Sequence, residues 1–316
     1  MARGVISSVA TIDGHRPLYV ISRGLISLSV SKPPDDAMAT PWSEWIGRTE
    51  VQHDEATAAP ARALAATLDH EAIDIRSGDV LPGLWVWLYF LPKARMREVG
   101  PDGHPKRGGF LPPVEAPRRM WAGSRSTFHE PLRVGVALTR TSTITSVTEK
   151  AGRAATLTFV GVHHRVEADG VLVYEEEQDI VYMPIPDKFE PPPPTQAPTP
   201  LWSERVALDP VLLFRFSALT FNGHRIHYDR AYAMDVERYP GLVVHGPLQA
   251  ILMFDAAMRH NPGRTPLRFA FRGLSPLFDF DEVNVGSAMG DDGVLDVFTF
   301  KADGAIGARA KLQFTD

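Results

Sequence analysis

The longest apolar runs of the chain fall at two places. Residues 81–91 read Leu-Pro-Gly-Leu-Trp-Val-Trp-Leu-Tyr-Phe-Leu, and residues 239–252 read Tyr-Pro-Gly-Leu-Val-Val-His-Gly-Pro-Leu-Gln-Ala-Ile-Leu. Both open with Pro-Gly-Leu, and the pattern predicts a helix apolar nearly all round in each half of the chain. Ahead of each run lies a shorter helix-like stretch, residues 60–68 and 210–219. The first ends in Asp69-His70, and the second is followed by Asn222-Gly223-His224. Behind each run the period changes to two, as in strands with one buried face. The strand candidates are 139–147, 155–166 and 171–181 in the first half, and 267–271, 284–288, 294–301 and 305–314 in the second. Each half also carries a Pro-Leu pair (Pro131-Leu132, Pro276-Leu277) and an Ala-Asp-Gly hairpin signal at 168–170 and 302–304. Four matches in the same order point to a duplicated unit.

An all-apolar helix has to be covered on most sides. A curved antiparallel sheet wrapped about it does this, so the expected class is α+β, each half a long central helix wrapped by a curved antiparallel sheet. Two such sheets set edge to edge would bury their free edges. The seam between the halves falls at residues 184–200, which contain eight of the 27 prolines, including Pro191-Pro192-Pro193-Pro194. Fixed φ angles and missing amide donors favour an extended linker there. The expected division is 42–183, a linker at 184–200, and 201–316. Residues 1–41 form an extension with three open readings: a misassigned start upstream of Met38, a targeting peptide, or a real strand.

Composition narrows the function classes. The 316 residues carry no cysteine, which excludes disulfides, thiolate metal sites and cysteine nucleophiles. A net charge of −5 gives no reason to expect a nucleic-acid partner. No run approaches the roughly 20 apolar residues of a membrane span. The expectation is a soluble cytoplasmic protein, or a mitochondrial one if the first 37 residues are an address.

Chemistry concentrates in the second half. Asn222, His224, His227 and Asp229 lie between an apolar helix end and a loop, where polar groups can face a ligand. A histidine there is available as a general acid/base. It also reads as an ordinary satisfied loop histidine. The His-x-x-His spacing of His224 and His227 matches no familiar ligand frame, so no metal is expected. At Val244-His245-Gly246-Pro247, proline suits the first helical turn and glycine permits close approach to the backbone. The free N–H groups at such a helix start can hold a negative oxygen. In the first half Val86-Trp87-Leu88 stands in that place, so one half reads as catalytic and the other as degenerate.

These residues resemble the MaoC-like (R)-specific enoyl-CoA hydratases of the hotdog superfamily. The family's Gly-Asp-x-Asn-Pro-Leu-His loop is matched by 221–227, Phe-Asn-Gly-His-Arg-Ile-His, and its Gly-x-x-x-His-Gly helix start by 241–246. The usual aspartate is Asn222 here. Gly108-Gly-Phe-Leu-Pro-Pro113 and the run from Pro117 to Arg125 are similar to the N-terminal domain of the two-hotdog branch, which includes mesaconyl-CoA hydratases and 3-hydroxyacyl-thioester dehydratases. The resemblance implies a double hotdog acting on an acyl-CoA or acyl-carrier-protein thioester, with no cofactor beyond the coenzyme A of the substrate. It implies His227 as acid/base, Asn222 as the residue that orients water, and Gly246, with His245 beside it, at the thioester oxygen. The degenerate half would hold the acyl chain. Arg118, Arg119 and Arg125 are candidates for coenzyme A phosphates, or else surface or fold-stabilising arginines. A hotdog thioesterase, with Asp255 as its carboxylate, and a non-catalytic acyl-CoA-binding protein are the rivals. Either a pseudo-dimeric monomer or a homodimer is compatible with this reading.

Overall fold

A computed structural model describes residues 41–71, 73–151, 156–290 and 293–315. Of the N-terminal extension, residues 1–40 lie outside the described part. Among the described residues, no helix is long and apolar enough to cross a membrane.

The first half contains β1 (Thr49–Glu55), α1 (Ala58–Thr67), β2 (Arg118–Phe128), β3 (Ala137–Ala151), β4 (Thr156–Ala168) and β5 (Val171–Met183). The second contains β6 (Trp202–Val206), α2 (Pro210–Leu219), α3 (Gly246–His260), β7 (Pro266–Gly273), β8 (Val283–Met289), β9 (Leu295–Lys301) and β10 (Ile306–Phe314). All ten strands form one sheet in the order β1-β3-β4-β5-β2-β7-β10-β9-β8-β6, every pairing antiparallel. Read inward from each edge, the two halves have the same order, first-third-fourth-fifth-second. The duplication inferred from short sequence matches is therefore present in the topology. The halves join where β2 pairs with β7, from Gly123 opposite Arg272 to Thr127 opposite Arg268. Residues 184–200 contain no regular element; Gln196 bridges Ala305 at the end of the second-half hairpin.

Both expected short helices, the expected strands and both Asp-Gly hairpin turns are present. The strands β1, β2 and β6 were not expected. One expectation is corrected: the first half has no long central helix. Its apolar run forms only a 3-10 turn, Gly83–Leu88, and the chain then runs irregularly to β2, broken by one short 3-10 turn at Met96–Glu98. Leu84, Trp85, Val86 and Leu88 are buried all the same, because the turn packs against α3. A run this apolar demands burial, but burial does not require a helix. α3 is the one central helix, and Leu248 to Ala257 are buried on it with the single exception of Leu252.

Two of the three candidate arginines are engaged within the fold. Arg118, 5% exposed, donates from Nε to Glu237 Oε2 at 2.7 Å and from Nη2 to the Glu237 carbonyl, and its guanidinium lies over the Tyr239 ring at 4.4 Å. This pair ties β2 to the second half. Arg125 forks onto Glu177 at 2.9 Å and Asp179 at 2.6 Å across the β2–β5 ladder. Both guanidiniums are satisfied by the protein, which favours the fold-stabilising reading of these two over contact with coenzyme A phosphates. Removing one partner of a buried pair strands the other charge. Arg118→Met is therefore expected to lower the unfolding free energy by about 3–5 kcal/mol. Arg125→Met, at an exposed pair, should lower it by less than about 1 kcal/mol. Chemical denaturation of the two variants side by side measures the difference.

Candidate active site

The site is built from the end of α2 and the beginning of α3. α2 starts where Asp209 Oδ1 accepts the Leu212 N–H at 2.8 Å, with Pro210 in the first turn. It ends through Phe221, whose φ of +49° is left-handed, so the Asn222 N–H reaches back to the Ser217 carbonyl at 2.8 Å. α1 ends alike: Asp69 has φ +52° and the His70 N–H returns to the Ala65 carbonyl at 2.9 Å. A non-glycine residue in this conformation costs roughly 1–2 kcal/mol. Both copies keep it, and it brings a polar side chain, Asn222 or His70, to the same point of each half.

Beyond Asn222 the second half does something the first does not. Asn222 Oδ1 accepts the His224 N–H at 3.0 Å, which fixes the amide orientation and leaves the Asn222 amide nitrogen for the groove. The chain then makes the 3-10 turn Arg225–His227. Two bonds fasten this turn to the segment entering α3. The Val243 N–H donates to the Ile226 carbonyl at 3.0 Å, and His227 Nδ1–H donates to the Val243 carbonyl at 2.7 Å. A carbonyl only accepts, so Nδ1 holds the proton and Nε2 carries the lone pair. His227 is 7% exposed, and burial pushes its pKa down to about 4, against the opposing pull of the Val243 carbonyl. At neutral pH it is an uncharged base.

His245 caps the start of α3 and stacks on His227 with ring centroids 3.7 Å apart. Its Nε2 bonds Ser217 Oγ at 2.8 Å, while its Nδ1 is sealed from solvent without a partner. Burial and the neighbouring His227 hold it well below the usual histidine range. On the other side of His227 lies His224, edge-on at 5.4 Å. His224 in turn faces His104 at 4.1 Å. His104 comes from the irregular segment of the first half, and its Nδ1 meets Asp102 Oδ2 at 2.9 Å. That segment touches the catalytic-type loop through bare backbone: the Arg225 N–H donates to the Asp102 carbonyl at 2.9 Å, and a Cβ at Gly103, whose φ is +91°, would overlap the Gly223 carbonyl.

Gly246 opens α3, followed by Pro247, and no acceptor among the described residues meets its N–H. A Cβ there would lie 2.8 Å from the Trp121 ring, so glycine is what lets Trp121 of β2 close over the helix start. Trp121 stacks on Phe271 at 4.7 Å and meets Trp87 edge-on at 5.6 Å. A groove of about 1190 Å³ runs from Asn222, Ser217 and Pro247 past Trp121 and Trp87 to Glu176 and Arg140 in the first half. It occupies the half that lacks a central helix.

The structure thus brings together Asn222, His227, His245 and Gly246. It sets Arg119 on the groove wall but engages Arg118 and Arg125 elsewhere. Asp255 is buried nine residues along α3, roughly 13 Å from Gly246. It accepts from Trp85 Nε1 at 3.1 Å and lies 3.4 Å from His70 Nε2. The sequence reading passed over Trp121, Ser217 and the Asp102–His104 pair. Trp121 had one available signal, an aromatic residue in a run otherwise small or basic.

Comparison with known proteins identifies the family and the fold. The model of the hydroxyacyl-thioester dehydratase type 2 family matches residues 84–279. A mesaconyl-C(4)-CoA hydratase of Chloroflexus aurantiacus is 49% identical over 246 residues, covering 75% of this chain and 85% of the relative. A mitochondrial hydroxyacyl-thioester dehydratase type 2 of Schizosaccharomyces pombe is 26% identical over 72% of this chain and 86% of its own length. Among solved structures, a MaoC-like dehydratase from Phytophthora capsici superposes with a TM-score of 0.66 at 13% identity, covering 85% of this chain and 96% of that one. A Mycobacterium tuberculosis protein described as a double hotdog superposes with a TM-score of 0.52 at 14% identity, over 85% of this chain and 96% of its own. The chain is a double hotdog and belongs to the hydroxyacyl-thioester dehydratase type 2 family.

Proposed function

We propose that this protein is a hydro-lyase that reversibly adds water across the double bond of an enoyl-CoA, with mesaconyl-C4-CoA as its substrate type. The observation that carries this is the tautomer of His227. Its Nδ1–H is committed to Val243, so its Nε2 is a neutral base, on a ring stacked against His245, the residue that precedes Gly246 at the start of α3. The relative of 49% identity supports the substrate type.

In this reading the thioester oxygen accepts the Gly246 N–H at the positive end of α3, where the enolate charge develops. The Asn222 amide nitrogen donates to a water, and His227 Nε2 takes that water's proton as its oxygen bonds the β-carbon. The same imidazole then returns the proton to the α-carbon. An amide does not titrate, so His227 performs both transfers, whereas the wider family divides them with an aspartate. His245 positions His227 by stacking and through Ser217. The first-half groove takes the acyl group. Hydration moves no net electrons, so the reaction needs no cofactor beyond the coenzyme A of the substrate. Acyl-carrier-protein thioesters remain alternative substrates. We read it as cytoplasmic, either a pseudo-dimeric monomer or a homodimer.

The thioesterase alternative loses its support because Asp255 is held by Trp85 and His70, far from Gly246. A non-catalytic binding protein would have no use for a histidine held in one tautomer.

The test is loss of enoyl absorbance with mesaconyl-C4-CoA or crotonyl-CoA. His227→Ala is expected to lower kcat by about 10²–10⁴-fold; undiminished turnover would sink the mechanism. Asn222→Asp keeps the acceptor for the His224 N–H and is expected to hold or raise activity, and complete inactivation would show that the amide is itself required. The active form is the unprotonated imidazole, with a pKa of about 4. A pH–rate profile of kcat/KM should therefore be flat from pH 8 down past 6 and fall only as pH drops towards 4. An acid limb near 6.5 would point to a different, solvated base.

A further inference from the structure

Beside the main groove lies a second cavity of about 800 Å³, and four cationic side chains line it: Lys106, Arg107, Arg119 and Arg225. Three are already occupied. Lys106 Nζ donates to the Arg97 carbonyl at 2.9 Å, and Arg107 donates to the Val114 carbonyl and, at 2.8 Å, to the Pro117 carbonyl. Arg225 pairs with Asp229 at 2.7 Å. Arg119 alone of the four has no carboxylate or carbonyl acceptor among the described residues, and it also lines the main groove. A half-buried guanidinium that has only the Tyr182 hydroxyl beside it and the Asp102 carboxylate across the cavity keeps donors for a planar anion.

Its place on β2 indicates which anion. Arg119 precedes by two residues Trp121, the ring that covers Gly246, so the two backbones stand roughly 7 Å apart along the strand. The charge of Arg119 is felt by both His104 and His224, next to His227. A thioester seated at Gly246, under the Trp121 ring, therefore has the Arg119 position two residues along the same strand from its acyl group. In a mesaconyl-C4 thioester the free carboxylate is borne by the very carbon that water attacks, two carbons from the thioester carbonyl. That carboxylate repels an incoming oxygen and weakens the polarisation of the double bond, and a guanidinium over it relieves both effects.

We propose that Arg119 is the specificity residue of this site and binds the second carboxylate of a dicarboxylic enoyl-CoA. The inference rests on the hydratase reading above and adds to it the residue that selects the acyl class. Coenzyme A phosphates are a second source of anions, and paired substrates separate the two, because crotonyl-CoA carries the phosphates without the carboxylate. With mesaconyl-C4-CoA, Arg119→Met is expected to lower kcat/KM about 50-fold, through a higher KM and a lower kcat together. With crotonyl-CoA the change should stay within about threefold, and Arg119→Lys should recover part of the loss on the dicarboxylate. Equal losses on both substrates, or no loss on either, would overturn the proposal. A measurement on the unaltered protein stands apart from any folding defect in the variant: succinyl-CoA should inhibit crotonyl-CoA hydration with a Ki at least tenfold below that of butyryl-CoA. Equal inhibition constants would also overturn it. Wild-type protein that hydrates neither enoyl-CoA would defeat the hydratase reading itself.

Discussion

Everything at the site is referred to one buried helix. α3 is apolar on almost every side, so the structure has to enclose it, and no single five-stranded sheet of this size does so. Strands of its own half, the first-half strand β2 and the 3-10 turn at Gly83–Leu88 all pack on it. Buried hydrogen bonds hold it in register, from Trp85 to Asp255 and from Thr299 to Gln249 at 2.9 Å. Because α3 is held by both halves, its first amide is a fixed point. Gly246, the Trp121 ring over it and the His227 turn fastened through Val243 are all placed relative to that amide. Among the described residues the first half has no central helix of its own to enclose, and the space is the groove.

The electrostatics follow from the same enclosure. His224, His227 and His245 are all pushed below the ordinary histidine range, chiefly by burial, and His227 discourages protonation of both His224 and His245. The row of imidazoles is thus kept neutral at physiological pH without any carboxylate at the Asn222 position. An aspartate in this dry corner would have to be ionised to act as a base. In the proposed mechanism the asparagine offers a dipole in its place and leaves proton transfer to His227, whose Nδ1–H is held by the Val243 carbonyl.

Much of this was legible in the sequence, unevenly and for physical reasons. The strands with strict alternation and the two Asp-Gly hairpins are local signals, and they were found. β1 and β6 are edge strands with mixed burial, and β2 carries arginines, serines and glycine where a strand pattern would show β-branched residues. Nothing local distinguishes them from loop. The apolar run at 81–91 was misread as a helix because hydrophobicity reports burial and not conformation. Asn222, His227, His245 and Gly246 stand out as candidates because they lie close together in the chain on a recognisable spacing. The Asp102–His104 pair reaches the site from 120 residues upstream of His224, by a glycine-to-glycine contact that leaves no periodic trace. The three arginines looked alike in sequence, and only their partners separate them.

The seam between β2 and β7 also bears on how the molecule stays in solution. Without the first half, the β7 edge from Pro266 to Gly273 would stand open, with Phe269 and Phe271 alternating along it. An unpaired edge of that kind is a template for self-association. The first half is therefore a permanent cap on a sticky strand, fused to the chain so that it is always present. A duplicated half can lose its helix and its catalytic loop and still be kept, as long as it goes on covering that edge.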